Sequence, residues 1–308
     1  MFNLITILGP TATGKTKLAA TLALEFNGEI ISADSRQVYR GMDIGTGKDI
    51  KDYFIEDKKI KYHLIDILDP HEEFNLFLFK KYFTSAFEEI TKKNKLPFLV
   101  GGTGLYLSSV LQNYSLSKVD FNNPRIKNLN SKSVEELKSI LLELNPKQHN
   151  TTDLISKERI IKAIAIALSS NELKNERIEA SDINSVVIGI MPERNEVKKK
   201  ITERLKYRLQ NGMIEEVENL IKNGIDFEKL DFFGLEYRYI GLYLQKKINY
   251  NDMFQKLKSS IHNFAKRQAT WFRKMEKEGI EINWLRSPDY FEAKKIIEKF
   301  LFTSQIGS

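Results

Sequence analysis

An α/β fold, a parallel sheet flanked by helices with a small all-helical insertion, is predicted by three observations. A strand-like run, a glycine loop and a helical pattern follow one another within the first 25 residues. Apolar runs then recur along the chain and lead directly into acidic or glycine turns, as parallel strands do in α/β proteins. Between residues 115 and 185 those runs give way to Asn, Ser, Lys and Glu around short amphipathic helices. The expected organisation is a core in two parts, 1–114 and 186–308, interrupted by a helical insertion at 115–185.

The first strand is Leu4-Ile5-Thr6-Ile7-Leu8, short and β-branched enough to be buried in a parallel sheet. It runs into Gly9-Pro10-Thr11-Ala12-Thr13-Gly14-Lys15-Thr16, and helical periodicity begins at Leu18. Strand, glycine loop and helix form the context of a phosphate-binding loop, so the core is P-loop NTPase-like. Backbone N–H groups turn inward there, and the helix directs its positive end at the same point. Lys15 supplies a point charge for bridging oxygens, and the Thr16 hydroxyl is a ligand for Mg²⁺. Such a loop reads phosphates and little else. Kinases, ATPases and diphosphate-cleaving transferases can all use it.

The second strand, Glu29 to Ala33, delivers Asp34 to the carboxyl edge of the sheet, where ligands gather. Asp34 is equally suited to capping the next turn, and position alone leaves both readings open. A three-glycine loop at 41–48 and a third strand at Tyr62 to Ile67 come next. His63, on that strand, reads as a packed or hydrogen-bonded residue, with no partner at metal-site spacing. Phe74 to Ile90 has aromatics at helical spacing and should cover one sheet face. Leu96 to Val100 is a strand ending in Gly101-Gly102-Thr103-Gly104, without the terminal acid that ATPases commonly use.

In the insertion, helices are expected at Val134 to Leu144, ending before Asn145-Pro146, and at Glu158 to Leu168. The core resumes with the apolar strand Val186 to Met191. The following helix carries seven cations in the fifteen positions 194–208 against two acids, either a solvated face or an anion-binding one. From Leu257 to Met275 a stripe of Leu257, Ile261, Phe264, Gln268, Trp271 and Met275 is interrupted by one amide. Buried, Gln268 must satisfy backbone groups or face a ligand. Lys266, Arg267, Arg273 and Lys274 lie beside that stripe; cations beside aromatics suit phosphate contacts and base stacking, and a core helix with a wet edge has the same pattern.

Composition narrows the class. The 308 residues are 42% hydrophobic and 29% charged, ordinary for a globular protein, and the net charge of +7 favours a polyanionic partner. With no cysteine, disulfides, thiolate catalysis and Cys-ligated zinc are excluded. No run is long and apolar enough to span a bilayer, and the first residues lack a signal-peptide pattern; a cytoplasmic protein with no membrane association is expected.

GPTATGKT, ISADSRQVYRGMDIGTGK, YHLIDILDP, FLVGGTGLYL and FAKRQATWFRK stand in the order and spacing of tRNA dimethylallyltransferases, which the chain resembles from Leu4 to about Trp284. That family transfers a dimethylallyl group from its diphosphate to the exocyclic amine of the adenosine 3′ of the anticodon. The resemblance implies Asp34 as general base, with Lys15 and Thr103 in the catalytic set. It implies that Gly9 to Thr16 and Arg238 hold the diphosphate, with Mg²⁺ on Thr16. It further implies that Asp34, Ser35, Arg36, Gln37 and Thr103 grip the adenosine. Arg125, Glu158, Arg159, Ile160, Ile161, Lys162, Lys266, Arg267 and Gln268 would then meet the anticodon stem-loop of a tRNA, the enzyme acting as a monomer. Three positions depart from the family pattern: Glu236 where a glycine is expected, Lys162 for a more usual arginine, and His262 where many members have arginine.

A small-molecule kinase would explain residues 1–110 but leave the insertion and the basic helix without purpose. An ATP-gated RNA-binding protein would explain the charge but not Asp34. An adenylate isopentenyltransferase shares the core chemistry but not the RNA-facing segments.

Overall fold

The structure, a computed structural model, describes residues 3–121, 123–144, 156–171, 177–178 and 183–306. The first part of the core runs β1 (Leu4–Leu8), α1 (Lys15–Glu25), β2 (Gly28–Ala33), β3 (Phe54–Ile55), β4 (Lys58–Lys59), β5 (Tyr62–His63), α2 (Leu76–Lys92), β6 (Leu96–Gly101) and α3 (Gly104–Leu111). The insertion holds β7 (Leu116–Ser117), α4 (Pro124–Lys127), α5 (Val134–Leu144), α6 (Lys157–Asn171) and β8 (Arg177–Ile178). The core then resumes with β9 (Ser185–Ile190), α7 (Arg194–Gln210), α8 (Met213–Lys222), α9 (Phe227–Phe233), α10 (Leu235–Leu244), α11 (Tyr250–Lys277), β10 (Asn283–Leu285) and α12 (Tyr290–Ile306).

Six parallel strands lie in the order β10-β9-β1-β6-β2-β5. The central strands are apolar throughout because both faces are covered. Alternation divides β1 between two cores: Leu4 and Leu8 join Phe79 and Phe83 of α2 and Leu257 and Phe272 of α11, while Ile5 and Ile7 join Leu18 and Leu22 of α1 and Ala293 and Ile297 of α12. The result is a three-layer sandwich with the crossover loops at the carboxyl edge available for a ligand.

Three elements differ from expectation. The strand foreseen at Tyr62 to Ile67 stops after His63, because Leu64 and Asp66 adopt φ of 64° and 55°, which no extended chain contains. Strand β10 has only three residues, too few for a periodic signal, and forms because Asn283 and Leu285 register against Ile188 and Ile190. Helix α11 is rotated slightly from its expected stripe: Ala265 and Phe272 are buried, while Phe264 is 38% exposed at the edge. His63 Nε2 is 2.8 Å from Glu29 Oε2, a hydrogen-bonded strand residue. Among the described residues no helix is long and apolar enough to cross a membrane.

The insertion forms its own compact unit, residues 114–180. Ser185, expected inside it, instead opens β9 opposite Leu4. Its helices α5 and α6 pack through Leu137, Leu141, Ile160 and Ile164, and a two-residue antiparallel pairing of Leu116 with Ile178 adds a short β element to an otherwise helical unit. Asn145 and Pro146 lie outside the described residues.

Candidate active site

The loop between β1 and α1 is held from within and from outside. Thr13 Oγ1 donates to the Pro10 carbonyl at 3.0 Å, and Lys15 Nζ folds back to the same oxygen at 3.2 Å. From α11, Gln268 Oε1 accepts the Thr11 N–H at 3.0 Å while its Nε2 donates to the Gly102 carbonyl at 2.9 Å. One buried amide thus ties the phosphate loop to the glycine turn after β6. Burial, then the adjacent Arg204, pull the Lys15 ammonium down to about 8, against the opposing pull of Asp34.

Asp34 stands at the end of β2, one strand from β6. Its Oδ1 accepts the backbone N–H groups of Arg36 at 2.9 Å and Gln37 at 3.3 Å, so it caps the following turn. The same side chain borders two cavities. One, of about 290 Å³, is lined by Gly14, Lys15, Thr16, Asp49, Asp52 and Arg204 as well. The other, of about 220 Å³, is lined by Ser35, Arg36, Thr103, Arg204, Arg208, Phe233, Glu236 and Phe264. Asp34 therefore caps the turn and borders both cavities as well. Thr103 Oγ1 accepts the Ser35 N–H at 3.3 Å and joins the two strand ends.

The cations of α7 close the crevice. Arg204 and Arg208, one helical turn apart, share a face. Arg204 Nη2 donates to Thr11 Oγ1, and Arg208 Nη2 pairs with Asp49 Oδ2 at 3.1 Å. Desolvation, with Arg208 alongside, brings the Arg204 guanidinium down to about 10. Gly47 is required for this approach: a Cβ there would sit 2.1 Å from Arg208 Nη2. The 41–48 loop is fixed by Glu216, whose carboxylate accepts the N–H groups of Asp43, Ile44 and Gly45 and the Tyr237 hydroxyl. Lys48, 1% exposed, anchors the loop from inside through the Tyr39 carbonyl, Asp43 and Asp66.

Aromatics and cations surround the mouth. The Arg36 guanidinium lies 4.5 Å over the Phe232 ring. On α11, Lys266, Arg267, Trp271 and Lys274 line an open groove of about 490 Å³. His262 Nε2 sits 3.2 Å from both Thr202 Oγ1 and the Lys198 carbonyl, and burial lowers its pKa, so at neutral pH it is uncharged and offers no cation to phosphate.

A family model described as IPP transferase matches residues 37–275, and one described as Isopentenyl transferase matches residues 2–66. The chain belongs to the IPP transferase family. It is 50% identical over 296 residues to tRNA dimethylallyltransferase 1 of Syntrophus aciditrophicus, covering 96% of this chain and 97% of that one. It is 51% identical over 284 residues to tRNA dimethylallyltransferase 2 of Trichlorobacter lovleyi, covering 92% of each. The crystal structure of the full-length tRNA isopentenylpyrophosphate transferase from Bacillus halodurans superimposes with a TM-score of 0.68 at 33% identity, covering 99% of this chain and 96% of that one.

Of the site residues expected from the sequence, Thr11 to Thr16, Asp34 to Gln37 and Thr103 line the two adjoining cavities. Gly9 and Pro10 shape the loop from behind; the Pro10 carbonyl receives Thr13 and Lys15. Arg238, expected on the diphosphate, is not among the lining residues. It lies on the outer side of α10, its Nε 3.6 Å from Asp231 Oδ1; the arginine lining the cavity at Thr11 to Thr16 is Arg204, and Arg208 lines the adjoining one. Gln268, expected to meet RNA, spends its amide on two backbone groups and is 7% exposed. Ile160 and Ile161, at 0% and 8% exposure, form the core of the insertion and have no surface for RNA; the polar residues expected there, Arg125, Glu158, Arg159 and Lys162, are exposed. Lys266 and Arg267 are exposed on α11. Sequence reasoning did not single out Arg204, Arg208, Glu216 or Glu236 as functional. The cation-rich helix was the only signal for the first two, and their four-residue spacing was the clue to a shared face.

Proposed function

We propose that this protein transfers a dimethylallyl group from dimethylallyl diphosphate to the exocyclic amine of the adenosine 3′-adjacent to the anticodon of tRNA. The observation that carries this reading is Asp34, one carboxylate on the wall between a cationic phosphate cradle and a second cavity lined by Ser35, Arg36 and Thr103. The diphosphate occupies the cradle of Gly9 to Thr16, where Lys15 and Arg204 meet charge as the allylic C–O bond breaks and the electron pair leaves with diphosphate. The adenine, extruded from the anticodon loop, enters the second cavity. Its amine forms the new C–N bond and gives its proton to Asp34, the general base.

The cradle offers hard oxygen donors, the Thr16 hydroxyl and the Asp52 carboxylate, beside the diphosphate position. These suit Mg²⁺. When bound, the ion would add positive charge to the leaving group. Burial, and then Asp49, raise the pKa of Asp52, so a divalent cation is the kind of partner that would favour its charged form.

RNA is held outside the crevice by Lys266, Arg267 and Lys274 beside Trp271, and at its mouth by Arg36 over Phe232. Arg125, Glu158, Arg159 and Lys162 supply a second RNA-facing surface from the insertion. The enzyme acts as a monomer in the cytoplasm, where uncharged His262 leaves phosphate binding to its lysine and arginine neighbours.

Incubation with labelled dimethylallyl diphosphate, Mg²⁺ and unmodified tRNA is expected to carry label into RNA. Turnover of ATP phosphate with no label in RNA would instead indicate a kinase or an ATP-gated protein. Label carried into free adenylate and not into tRNA would indicate an adenylate isopentenyltransferase.

A further inference from the structure

Behind the phosphate loop, helices α7 and α11 leave between them a slot of about 390 Å³, separate from the two cavities that Asp34 borders. It is left where α11 presents Ala265 and Ala269 to Val197 and Ile201 of α7, too little side chain to fill the space between two helices. Pro10, from the phosphate loop, and Met191, after β9, extend the apolar lining.

The charged residues of the slot are nearly all cations. Arg194 and Lys198 stand one turn apart on α7, and Lys266 and Arg273 stand two turns apart on α11. Among the described residues none of these four is ion-paired, whereas Lys200 and Lys274 on the same helices pair with Glu196 and Glu278. Glu193 is the one acid on the lining, and it is exposed. The His262 ring already has the Thr202 hydroxyl and the Lys198 carbonyl as partners.

This lining selects its occupant. Four cations facing a single exposed acid gather a multiply charged anion, and a diphosphate is one. The apolar walls give a nucleobase or sugar no hydrogen-bond partner, so a nucleotide would leave polar groups unpaired where a hydrocarbon would not. A methylene group needs about the room of a water molecule, roughly 30 Å³, so the slot takes a tail of about ten carbons.

We propose that the slot is a second ligand site, for a prenyl diphosphate longer than the five-carbon donor, with the hydrocarbon between α7 and α11 and the diphosphate on Arg194, Lys198, Lys266 and Arg273. Such molecules come from reactions that add five-carbon units to dimethylallyl diphosphate, and so draw on the donor that transfer to tRNA consumes. The occupant takes Lys266 from the RNA surface of α11 and sets negative charge beside it, so it weakens tRNA binding while the cradle stays open. That coupling rests on α11 being an RNA surface; the site itself does not.

Equilibrium dialysis of labelled geranyl diphosphate, with excess inorganic diphosphate and Mg²⁺ to fill the cradle, is expected to show about one molecule bound per chain. Dimethylallyl diphosphate should bind there at least about tenfold more weakly, because its shorter tail buries less apolar surface. Ala269→Leu fills the slot without touching a cation and should abolish binding, and Lys198→Ala should weaken it severalfold. Both variants should transfer dimethylallyl at the parent's rate, which separates these losses from misfolding. Geranyl diphosphate should lower the tRNA affinity of the parent by about threefold to tenfold at low salt and leave that of Ala269→Leu unchanged. Absence of binding, or binding that Ala269→Leu leaves unchanged, overturns the proposal. Binding that inorganic diphosphate displaces and Lys15→Met abolishes puts the longer ligand in the cradle and overturns it as well. Occupancy of the slot without weaker tRNA binding keeps the site and overturns the coupling. A folded parent that fails to bind dimethylallyl diphosphate when no other diphosphate is present removes the cradle reading and leaves binding in the slot as expected.

Discussion

The side-chain amide of Gln268 bonds the backbone of Thr11 at 3.0 Å, so a helix nearly the whole chain away holds the phosphate loop in place. Its second bond, to Gly102, brings the two glycine turns into one rigid edge. Gln268→Leu leaves a buried N–H and a buried carbonyl without partners, a loss of about 1–3 kcal/mol for each group. We expect a raised KM for the prenyl diphosphate and a lowered melting temperature, with the tRNA dissociation constant unchanged. A weakened tRNA affinity with normal diphosphate binding would return Gln268 to the RNA surface.

Asp34 has two tasks that substitution can separate. Asp34→Asn keeps an oxygen for the N–H groups of Arg36 and Gln37 but cannot accept the amine proton. Single-turnover transfer should fall about 10²- to 10⁴-fold, with diphosphate affinity changed only a few fold. Asp34→Ala should show the same kinetic loss plus about 1 kcal/mol of instability from the missing cap, read by denaturant unfolding.

On the proposed reading, Lys15 should make diphosphate affinity pH-dependent. In the free protein its pKa is about 8, and a bound diphosphate raises it by supplying opposite charge. Since the bound value lies above the free one, affinity contributed by Lys15 is complete below the free value and is lost as pH rises beyond it. The decline should approach about tenfold per unit. Lys15→Met should abolish that limb, and an identical decline in this variant would assign it elsewhere.

The cations of α11 are exposed, and their contribution to RNA affinity should follow ionic strength. Replacing Lys266 and Arg267 together by alanine is expected to lower the slope of log affinity against log salt by about 0.7–0.9 for each phosphate no longer neutralised. Transfer at saturating tRNA should be nearly unchanged. Filter binding across a salt series measures the first, and initial rates the second.

Within the insertion, burial and surface separate in one helix. Ile160→Ala should destabilise the unit by about 2–5 kcal/mol, visible as early local unfolding by hydrogen exchange. Lys162→Ala, on the exposed side of the same helix, should leave exchange untouched and weaken tRNA binding. Comparable exchange in both variants would show that Ile160 is not a core residue.

How much of this was legible from residue order differs by element. The run Leu4 to Thr16 carried strand, turn and helix in consecutive residues, so local chemistry was enough to place the first strand, the glycine loop and the helix after it. Helix α2 was legible because Phe79, Phe83 and Ile90 keep one face for the sheet. The strand after Tyr62 was read too long because apolar content says nothing about the positive φ that Leu64 and Asp66 adopt. Gln268 was legible from its stripe as an amide that must satisfy backbone groups, whereas the resemblance put it on RNA and Arg238 on the diphosphate, because a position within a motif fixes neither the direction of a side chain nor its partner.

Sequence alone determined the chemistry available, a glycine loop between strand and helix, an acid at the end of the next strand and cations along two helices, because each is specified by neighbours a few residues apart. Tertiary structure decided which of these meet. Asp34 reaches the cradle only because β2 and β1 flank β6, and Arg204 reaches Thr11 across most of the chain. Glu236 enters the crevice through the backbone turn at Gly234. Those juxtapositions come from packing helices on a shared sheet, a long-range balance of burial and charge that no short run of residues encodes.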